Sequence, residues 1–206
     1  MPMSPVQSRV VVRDPDAKSR LILEAARRLL IARGFEDIAL DDVAREAGVA
    51  KGTLFLHYES KEELFYAVFS ELVESLHLEL NVLSKTGLAG KELLNAVAKV
   101  LLGHFDRHRD FLGQVGAGRL PGCGERSRAK LREKFAANYA VTAELLVKCS
   151  TDEGRSLGSP DFAAAALIGL CRSAAMRKLL EGHERPLEEE AERVVAFFLS
   201  GSGLAI

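Results

Sequence analysis

The sequence predicts an all-α protein of about nine helices, and three observations support that fold class. Apolar residues recur at helical spacing along most of the 206-residue chain. No segment shows the strict alternation of apolar and polar residues that is typical of a half-buried strand. Glycine, proline and helix-capping residues interrupt the helical pattern, and each interruption predicts a connection between helices.

The helices nearest the N-terminus are predicted to form a small domain. Helix-spaced apolar residues indicate a first helix over about 17–33, ending at Gly34, and a second helix over about 40–47. A glycine turn follows, and a third helix covers about 51–57. The predicted domain organisation is an N-terminal arm over 1–16, a helix-turn-helix domain over 17–62 and a larger helical domain over 63–206.

The larger domain is predicted from a second series of helix signals. Ser60 and Glu63 have the spacing of a capping box, in which Ser60 caps a long helix and Glu63 reaches back. Further apolar stripes begin at about 88 and at about 125. Pro160 and Pro186 each suit the first turn of a helix, so two more helices are predicted to start there.

The bulk composition restricts the classes of protein and partner. The net charge is −1 and the pI is about 6.5, so nucleic-acid binding would depend on a local basic patch. No apolar run reaches the roughly 20 residues that a membrane-spanning helix needs. The N-terminal residues lack the apolar stretch of a signal peptide. We therefore expect a cytoplasmic protein without a membrane partner.

The cysteines are widely spaced and show no zinc-binding pattern. We expect reduced thiols, two of them on buried helix faces. Cys123 lies in the loop-like sequence PGCGER, where an exposed, redox-sensing thiol is the alternative.

A glycine turn between two short helices provides the clearest functional signal. Ala44 and Ala47 are small enough to let two helices cross closely, and Gly48 allows the positive φ that such a turn needs. Val49 and Leu54 can hold the second helix against the rest of the domain. This arrangement is typical of a helix-turn-helix DNA-binding domain. Its outward face would carry Lys51, Gly52, Thr53, Phe55, Leu56 and His57.

The span from about 21 to 69 resembles the DNA-binding domain of TetR-family transcriptional regulators. The matching residues are RGF at 33–35, VA at 43–44, AGV at 47–49, KGTL at 51–54 and HYESKEEL at 57–64. Taken singly, these polar side chains are more typical of an ordinary surface, but together with the turn they favour DNA. The resemblance implies that the recognition helix faces the major groove and that Tyr58 and Lys61 lie at phosphates. The expected DNA-contacting residues are Lys51, Thr53, Phe55, His57, Tyr58 and Lys61.

The chain departs from the family pattern at three places. Phe55 stands where the family often has a tyrosine, so a hydroxyl that could bond a phosphate is missing. Ala39 replaces the usual Thr or Ser, which removes a second phosphate contact and a helix N-cap worth about 1 kcal/mol. Asp41 and Asp42 suit the helix N-terminus but would repel a nearby phosphate. Binding would then depend more on basic residues, namely Lys51, Lys61, Arg9, Arg13, Lys18 and Arg20.

A single recognition helix covers few base pairs, so reading a palindromic operator in double-stranded DNA requires two copies related by a two-fold axis. The resemblance implies a homodimer that pairs through its last two long helices as a four-helix bundle. Small and apolar residues in these helices fit that role, unless they only fill the core of one chain. The candidate interface residues are Ala166, Gly169, Ser173, Val194, Val195 and Phe198.

The resemblance also implies a pocket for a small-molecule effector in the larger domain, coupled to DNA binding by a population shift. Few buried charges are evident, so the expected ligand is apolar or aromatic. Arg172 and Arg177 could instead bind an acidic group, or remain solvated or ion-paired. Aromatic residues at helical spacing are also common in cores. The candidate lining residues are Phe105, Phe111, Tyr139, Cys171 and Met176.

No enzyme, metal or cofactor is expected. His104 and His108 lie one helical turn apart, which can hold a metal, but no third ligand is identifiable. The sequence lacks a Ser/His/Asp arrangement and a glycine-rich phosphate loop. The favoured function is a ligand-responsive DNA-binding regulator, by family habit a repressor. One alternative is a small-molecule-binding protein or enzyme with a vestigial DNA-binding domain. Another is a structural partner protein, which leaves the turn and recognition helix unexplained.

Overall fold

The computed structural model describes residues 15–109, 111, 124–151, 158–182 and 185–201. Within these ranges every regular element is helical, which confirms the all-α prediction. None of the described helices is long and apolar enough to cross a membrane. The elements are α1 (Pro15–Arg33), α2 (Leu40–Glu46), α3 (Lys51–His57), α4 (Lys61–Ser84), α5 (Gly90–Arg107), α6 (Glu125–Thr151), α7 (Pro160–Glu181), a 3₁₀ helix (Leu187–Glu190) and α8 (Ala191–Gly201).

The chain separates into two compact units, with the division between Phe65 and Tyr66 inside α4. In the first unit, α1 ends where Gly34 takes a φ of +81° and its N–H donates to the Leu30 carbonyl over 2.9 Å. Phe35, in the next turn, meets Phe65 edge to face with 5.4 Å between ring centroids. The buried apolar side chains of this unit are Ile22, Leu23, Ala25, Ala26, Leu30, Ile38, Val43, Ala44, Leu54, Tyr58, Leu64 and Phe65.

The turn between α2 and α3 has the geometry that the sequence predicts. Gly48 has a φ of +67°, which glycine adopts without the steric penalty of a Cβ atom. The N–H of Val49 donates to the Ala44 carbonyl over 3.0 Å, and this bond ties the turn back to α2. Leu54 is fully buried and anchors α3 in the core. α3 therefore occupies the predicted segment and presents the rest of its surface outward.

Side-chain capping starts α4, with one difference from the predicted motif. The Ser60 hydroxyl oxygen accepts a hydrogen bond from the Glu63 N–H over 3.1 Å, as the capping-box spacing predicts. The Glu63 carboxylate accepts from the N–H of Glu59 over 2.9 Å, one residue earlier than the motif implies. Both bonds satisfy N–H groups that the start of a helix leaves without intrahelical partners.

The two prolines near the C-terminus behave differently. Pro160 is the first residue of α7, where Ser159 caps the helix by accepting from the Phe162 N–H over 3.4 Å. Pro186 leads into the 3₁₀ helix instead, and α8 begins only at Ala191. The predicted last helix therefore starts with a tighter turn than a regular α-helix.

In the second unit α5 is the central helix, since it packs against α6, α7, α8 and the 3₁₀ helix. A buried ion pair joins three of these elements. Lys178 of α7 is 6% exposed, and its Nζ lies 2.8 Å from both carboxylate oxygens of Asp106. The same carboxylate accepts from Arg109 and from the Leu187 N–H, over 3.0 and 3.1 Å. Burial opposes ionisation of Asp106, but the hydrogen bonds from Lys178 and Leu187 hold its pKa below the usual value.

Candidate nucleic-acid interface and ligand cavity

The outward face of α3 is more apolar than that of an ordinary surface helix. Leu56 is 87% exposed and Phe55 is exposed as well, beside Lys51 at the helix start. Thr53 and His57 are half-buried at the edges of this face. Phe55 and Leu56 are adjacent in the sequence and both exposed, so apolar surface faces solvent on this helix beside Lys51.

Lys51 is engaged by one of the two aspartates that depart from the family pattern. Its Nζ lies 2.8 Å from a carboxylate oxygen of Asp41, at the start of α2. The same nitrogen lies 5.8 Å from the centre of the Phe55 ring. Both members of the ion pair are more than half exposed, so water screens the pair and its contribution to stability is small.

Tyr58 is buried, and its hydroxyl oxygen lies 3.0 Å from the hydroxyl oxygen of Ser19 on α1. This contact joins the end of α3 to α1. The ring of His57 lies beside it, with 6.3 Å between the two ring centroids. The phosphate contact expected for Tyr58 stays a prediction, and in the free protein this hydroxyl already has a partner.

Lys61 is also engaged within the first unit. Its Nζ donates to the backbone carbonyls of Phe35 and Glu36, over 2.9 and 3.3 Å. It lies over the Phe35 ring at 4.4 Å from the ring centre. The lysine thus satisfies two carbonyl groups in the turn between α1 and α2. The phosphate contact expected for Lys61 stays a prediction.

The N-terminus of α2 compensates for its missing cap. Ala39 offers no side-chain cap, but the carboxylate of Asp42 accepts from the Ala39 N–H over 3.4 Å. Asp42 also forms ion pairs with Arg45 and Arg33. Asp42 therefore has a structural role, and the negative charge expected to repel phosphate is partly neutralised.

Of the four basic residues near the N-terminus that are expected to support DNA binding, the structure describes two. Arg9 and Arg13 lie outside the described residues. Lys18 is half-buried and Arg20 is exposed, both on α1.

The second unit contains a cavity of about 820 Å³, within the range that small-molecule sites occupy. Three of the five predicted lining residues, Phe105, Tyr139 and Met176, line it. The lining residues that the sequence does not predict come from α4, α5, α6 and α7, because periodicity does not show which helices enclose a void. The lining residues are Phe69, Leu72, Val73, Leu76, His104, Phe105, Leu131, Phe135, Asn138, Tyr139, Ile168, Arg172, Ser173, Met176, Arg177 and Leu180.

The other two predicted lining residues, Phe111 and Cys171, are not among the residues that line the cavity. Phe111 is buried and packs on Phe69, with 5.8 Å between ring centroids. Cys171 is fully buried in the core, where burial raises the pKa of its thiol to about 12. Cys149 is also buried, as expected for two of the cysteines, while Cys123 lies outside the described residues.

Two neutral polar groups belong to the cavity wall. Asn138 is 4% exposed, and its side-chain amide donates to the Val73 carbonyl over 2.8 Å. Its side-chain oxygen finds no hydrogen-bond partner among the described residues. Burial lowers the pKa of His104, although the Glu79 carboxylate, 3.5 Å from its Nδ1, acts in the opposite direction. Burial prevails, which favours the neutral imidazole.

His104 and His108 have a spacing that can hold a metal, although no metal site is expected from the sequence. The His104 and His108 rings lie close, with 4.8 Å between centroids. Across the part of the chain that the structure describes, no group of three or more His, Cys, Asp or Glu side chains could hold a metal ion.

The predicted dimer residues occupy mixed positions. Val195 and Phe198 are only 1% and 3% exposed, so they pack in the core of a single chain, and their part in a dimer interface stays a prediction. Ser173 lines the cavity. Ala166, Gly169 and Val194 are half-buried. The large apolar side chains exposed on α7 and α8 are instead Phe162, Leu180 and Phe197.

Comparison with known proteins agrees with this architecture. Residues 22–68 match the family described as "Bacterial regulatory proteins, tetR family". The Pseudomonas putida HTH-type transcriptional regulator SrpR is 36% identical over 58 residues, which cover 28% of this chain and 27% of that protein. The chain spans less than half the length of the curated relatives it matches.

Two solved structures extend the likeness beyond the first unit. Bacillus subtilis FadR in complex with stearoyl-CoA has a TM-score of 0.72 and 18% identity, covering 88% of this chain and 98% of that one. The flavonoid-responsive regulator FrrA has a TM-score of 0.62 and 27% identity, covering 90% and 97%.

Proposed function

This chain belongs to the TetR family of bacterial transcriptional regulators, and on that premise we propose that it is a DNA-binding regulator controlled by a small molecule. The observation that carries the proposal is the outward face of α3. The buried Leu54 and the left-handed Gly48 hold this helix so that Leu56 and Phe55 face away from the core. An α-helix fits the major groove, where apolar side chains contact thymine methyl groups and polar ones bond base edges.

The proposed form on DNA is a homodimer on a palindromic operator. Seven residues of α3 span only about 10 Å, so one copy reads few base pairs. Two copies would read half-sites roughly 34–36 Å apart. The exposed Phe162 and Phe197 on α7 and α8 support a partner surface on these helices. Repression is proposed as the regulatory sign, following the habit of the family.

The proposed effector is apolar or aromatic. The cavity wall supplies aromatic and aliphatic side chains, among them Phe69, Phe105 and Phe135, which suit such a molecule. The neighbours named for stearoyl-CoA and for flavonoids support this class. An effector that prefers one conformation of the second unit would shift the balance between states that bind DNA and states that do not. The proposal is a regulator and not an enzyme, as for the relative named a transcriptional regulator.

The proposal is tested by selecting duplexes from a random pool with the purified full-length protein. We expect enrichment of a palindrome, a dimeric complex by sedimentation, and an affinity that falls linearly with the logarithm of salt concentration. Enrichment of a single asymmetric half-site by a monomer would refute the dimer. A pool that stays random would refute DNA reading itself.

One set of contacts favours the alternative, a small-molecule-binding protein with a vestigial DNA-binding domain. Lys51 is paired with Asp41, and Lys61 is held by backbone carbonyls in the same unit. Both cations are therefore occupied in the free protein. Ligand binding in the cavity, with no salt-sensitive binding to any selected duplex, would favour this alternative.

A further inference from the structure

The cavity wall has an uneven distribution of charge. Its side chains from α4 are all apolar, and those from α6 are apolar or neutral. Among the described residues that line it, the charged side chains are Arg172 and Arg177, both on α7, and none is an aspartate or glutamate. The side of a bound molecule that faces α7 would therefore meet positive charge, while the sides facing α4 and α6 would meet hydrocarbon and aromatic rings.

The two guanidinium groups are available. Both arginines are exposed, and neither has an ion-pair partner among the residues that the structure describes. By contrast, two lysines of the second unit are engaged: Lys178 binds Asp106, and Lys134 binds Glu74. An arginine without a carboxylate partner at the edge of an apolar cavity can donate two parallel hydrogen bonds to a carboxylate or phosphate.

Both arginines line one cavity from α7, although the step of five residues between their positions turns them about 140° apart around the helix. Ile168, Arg172, Met176 and Leu180 lie four residues apart and form one stripe of α7 along the wall. Arg177 flanks this stripe and lies about 7.5 Å further along the helix axis than Arg172. Their long, flexible stems allow both charged ends to reach one group while the stems cover apolar surface.

We propose that the cavity binds an amphiphile with an apolar body against α4 and α6 and a single anionic group held by Arg172 and Arg177. This inference rests on the proposed function only in treating the cavity as the effector site. It narrows the ligand class from apolar or aromatic molecules to those that also carry a carboxylate or phosphate. Neutral hydrocarbons are disfavoured because they leave the guanidinium groups unpaired. Cationic amphiphiles are disfavoured because the two arginines repel them.

The test uses matched probes that differ only in the polar group. Dodecanoate is compared with dodecanol, and naphthalene-2-acetate with naphthalene-2-ethanol, by titration calorimetry on the full chain. One pair has a flexible body and the other an aromatic body, so the preference for an anion is measured independently of body shape. We expect at least one acid to bind about 10-fold more tightly than its alcohol, with a preference that decreases as salt increases.

Variants connect that preference to the two arginines. R172Q/R177Q keeps side-chain length and removes charge, so it should abolish the preference for the acid and leave alcohol binding within about two-fold. The matched control is R126Q on α6, since Arg126 is exposed and does not line the cavity. It should keep the full preference. Helix content and thermal midpoint are recorded for each variant, and R172Q and R177Q are measured singly as well.

The outcomes separate the two proposals. Acids that bind no more tightly than their alcohols, acids that do not bind at all, or a preference that survives in R172Q/R177Q would overturn the inference about the anion. Duplex selection on the same preparation tests the proposed regulator. Specific DNA binding without any acid preference would refute only the inference. An acid preference without DNA binding would refute only the regulator.

Discussion

Replacing Gly48 by alanine tests whether the turn between α2 and α3 depends on the left-handed backbone alone. A Cβ atom built at Gly48 meets no atom within 4 Å, so the substitution introduces no clash. The φ of +67° remains, and a non-glycine residue in that region costs about 1–2 kcal/mol. Gly48→Ala should therefore destabilise the packing of α3 by about that amount and change no contact.

The chain supplies a matched control at Gly52. A Cβ atom there also meets no atom within 4 Å, but Gly52 lies within α3 and has no positive φ. Alanine in a helix interior is favoured over glycine by roughly 0.5–1 kcal/mol. The same chemical change is thus expected to stabilise the unit at Gly52 and to destabilise it at Gly48.

Amide hydrogen exchange measures both effects locally, which suits a chain with two units. The N–H groups of Leu54 and Tyr58, bonded to the carbonyls of Ala50 and Leu54, report on α3. In Gly48→Ala they should exchange about 5–30-fold faster than in the wild type, and in Gly52→Ala more slowly. Wild-type rates in Gly48→Ala, or effects of the same sign in both variants, would refute the backbone argument.

Three further predictions follow from named contacts. Lys178→Met leaves the Asp106 carboxylate without its main partner and should lower the free energy of unfolding by about 3 kcal/mol in urea titrations. Because the folded pKa of Asp106 lies below its usual value, this stabilisation is complete above the pKa of the unfolded chain and is lost as the pH falls through the folded pKa, so the variant and the wild type should converge in acid. Ser60→Ala removes the bond to the Glu63 N–H and should cost about 1 kcal/mol, with faster exchange at that amide. Leu56→Ala should change base preference in a duplex selection but leave the thermal midpoint unchanged, since this side chain is 87% exposed.

The fold was predictable where the signals are local. The bounds of α3, the positive φ of Gly48 and the cap at Ser60 depend on residues close together in the sequence. The Glu63 carboxylate accepts from the N–H of Glu59, one residue before the N–H that the capping-box motif predicts. Neighbouring N–H groups compete for one carboxylate, and the local backbone geometry decides which of them it binds. Local chemistry thus determined which helices form, while the choice of partner within a cap depended on geometry.

The cavity and the partner surface were less predictable, since periodicity identifies an apolar stripe but not what the stripe faces. Cys171 and Met176 both lie on α7, yet Cys171 is packed in the core and Met176 lines the cavity. Val195 and Phe198 belong to the apolar stripe of α8 that packs in the core of the second unit. Phe197 is exposed because it lies outside that stripe. An apolar residue out of phase with the core stripe of its helix was the sequence signal for a surface position.

The two lysines next to the turn show how structure changes an argument about DNA binding. From the sequence, Lys51 is expected on the recognition helix facing the major groove and Lys61 at a phosphate. In the structure, Lys51 is held only by an exposed ion pair with Asp41, and such a pair contributes about 0.2–1 kcal/mol, so a phosphate can replace the aspartate at little cost. Lys61 instead donates to two backbone carbonyls in the turn after α1 and lies over Phe35, so it is held at the turn and one of its three N–H groups remains to donate to a phosphate. Lys51 is therefore the more available of the two for DNA, whereas Lys61 contributes mainly by fixing the turn that supports α2.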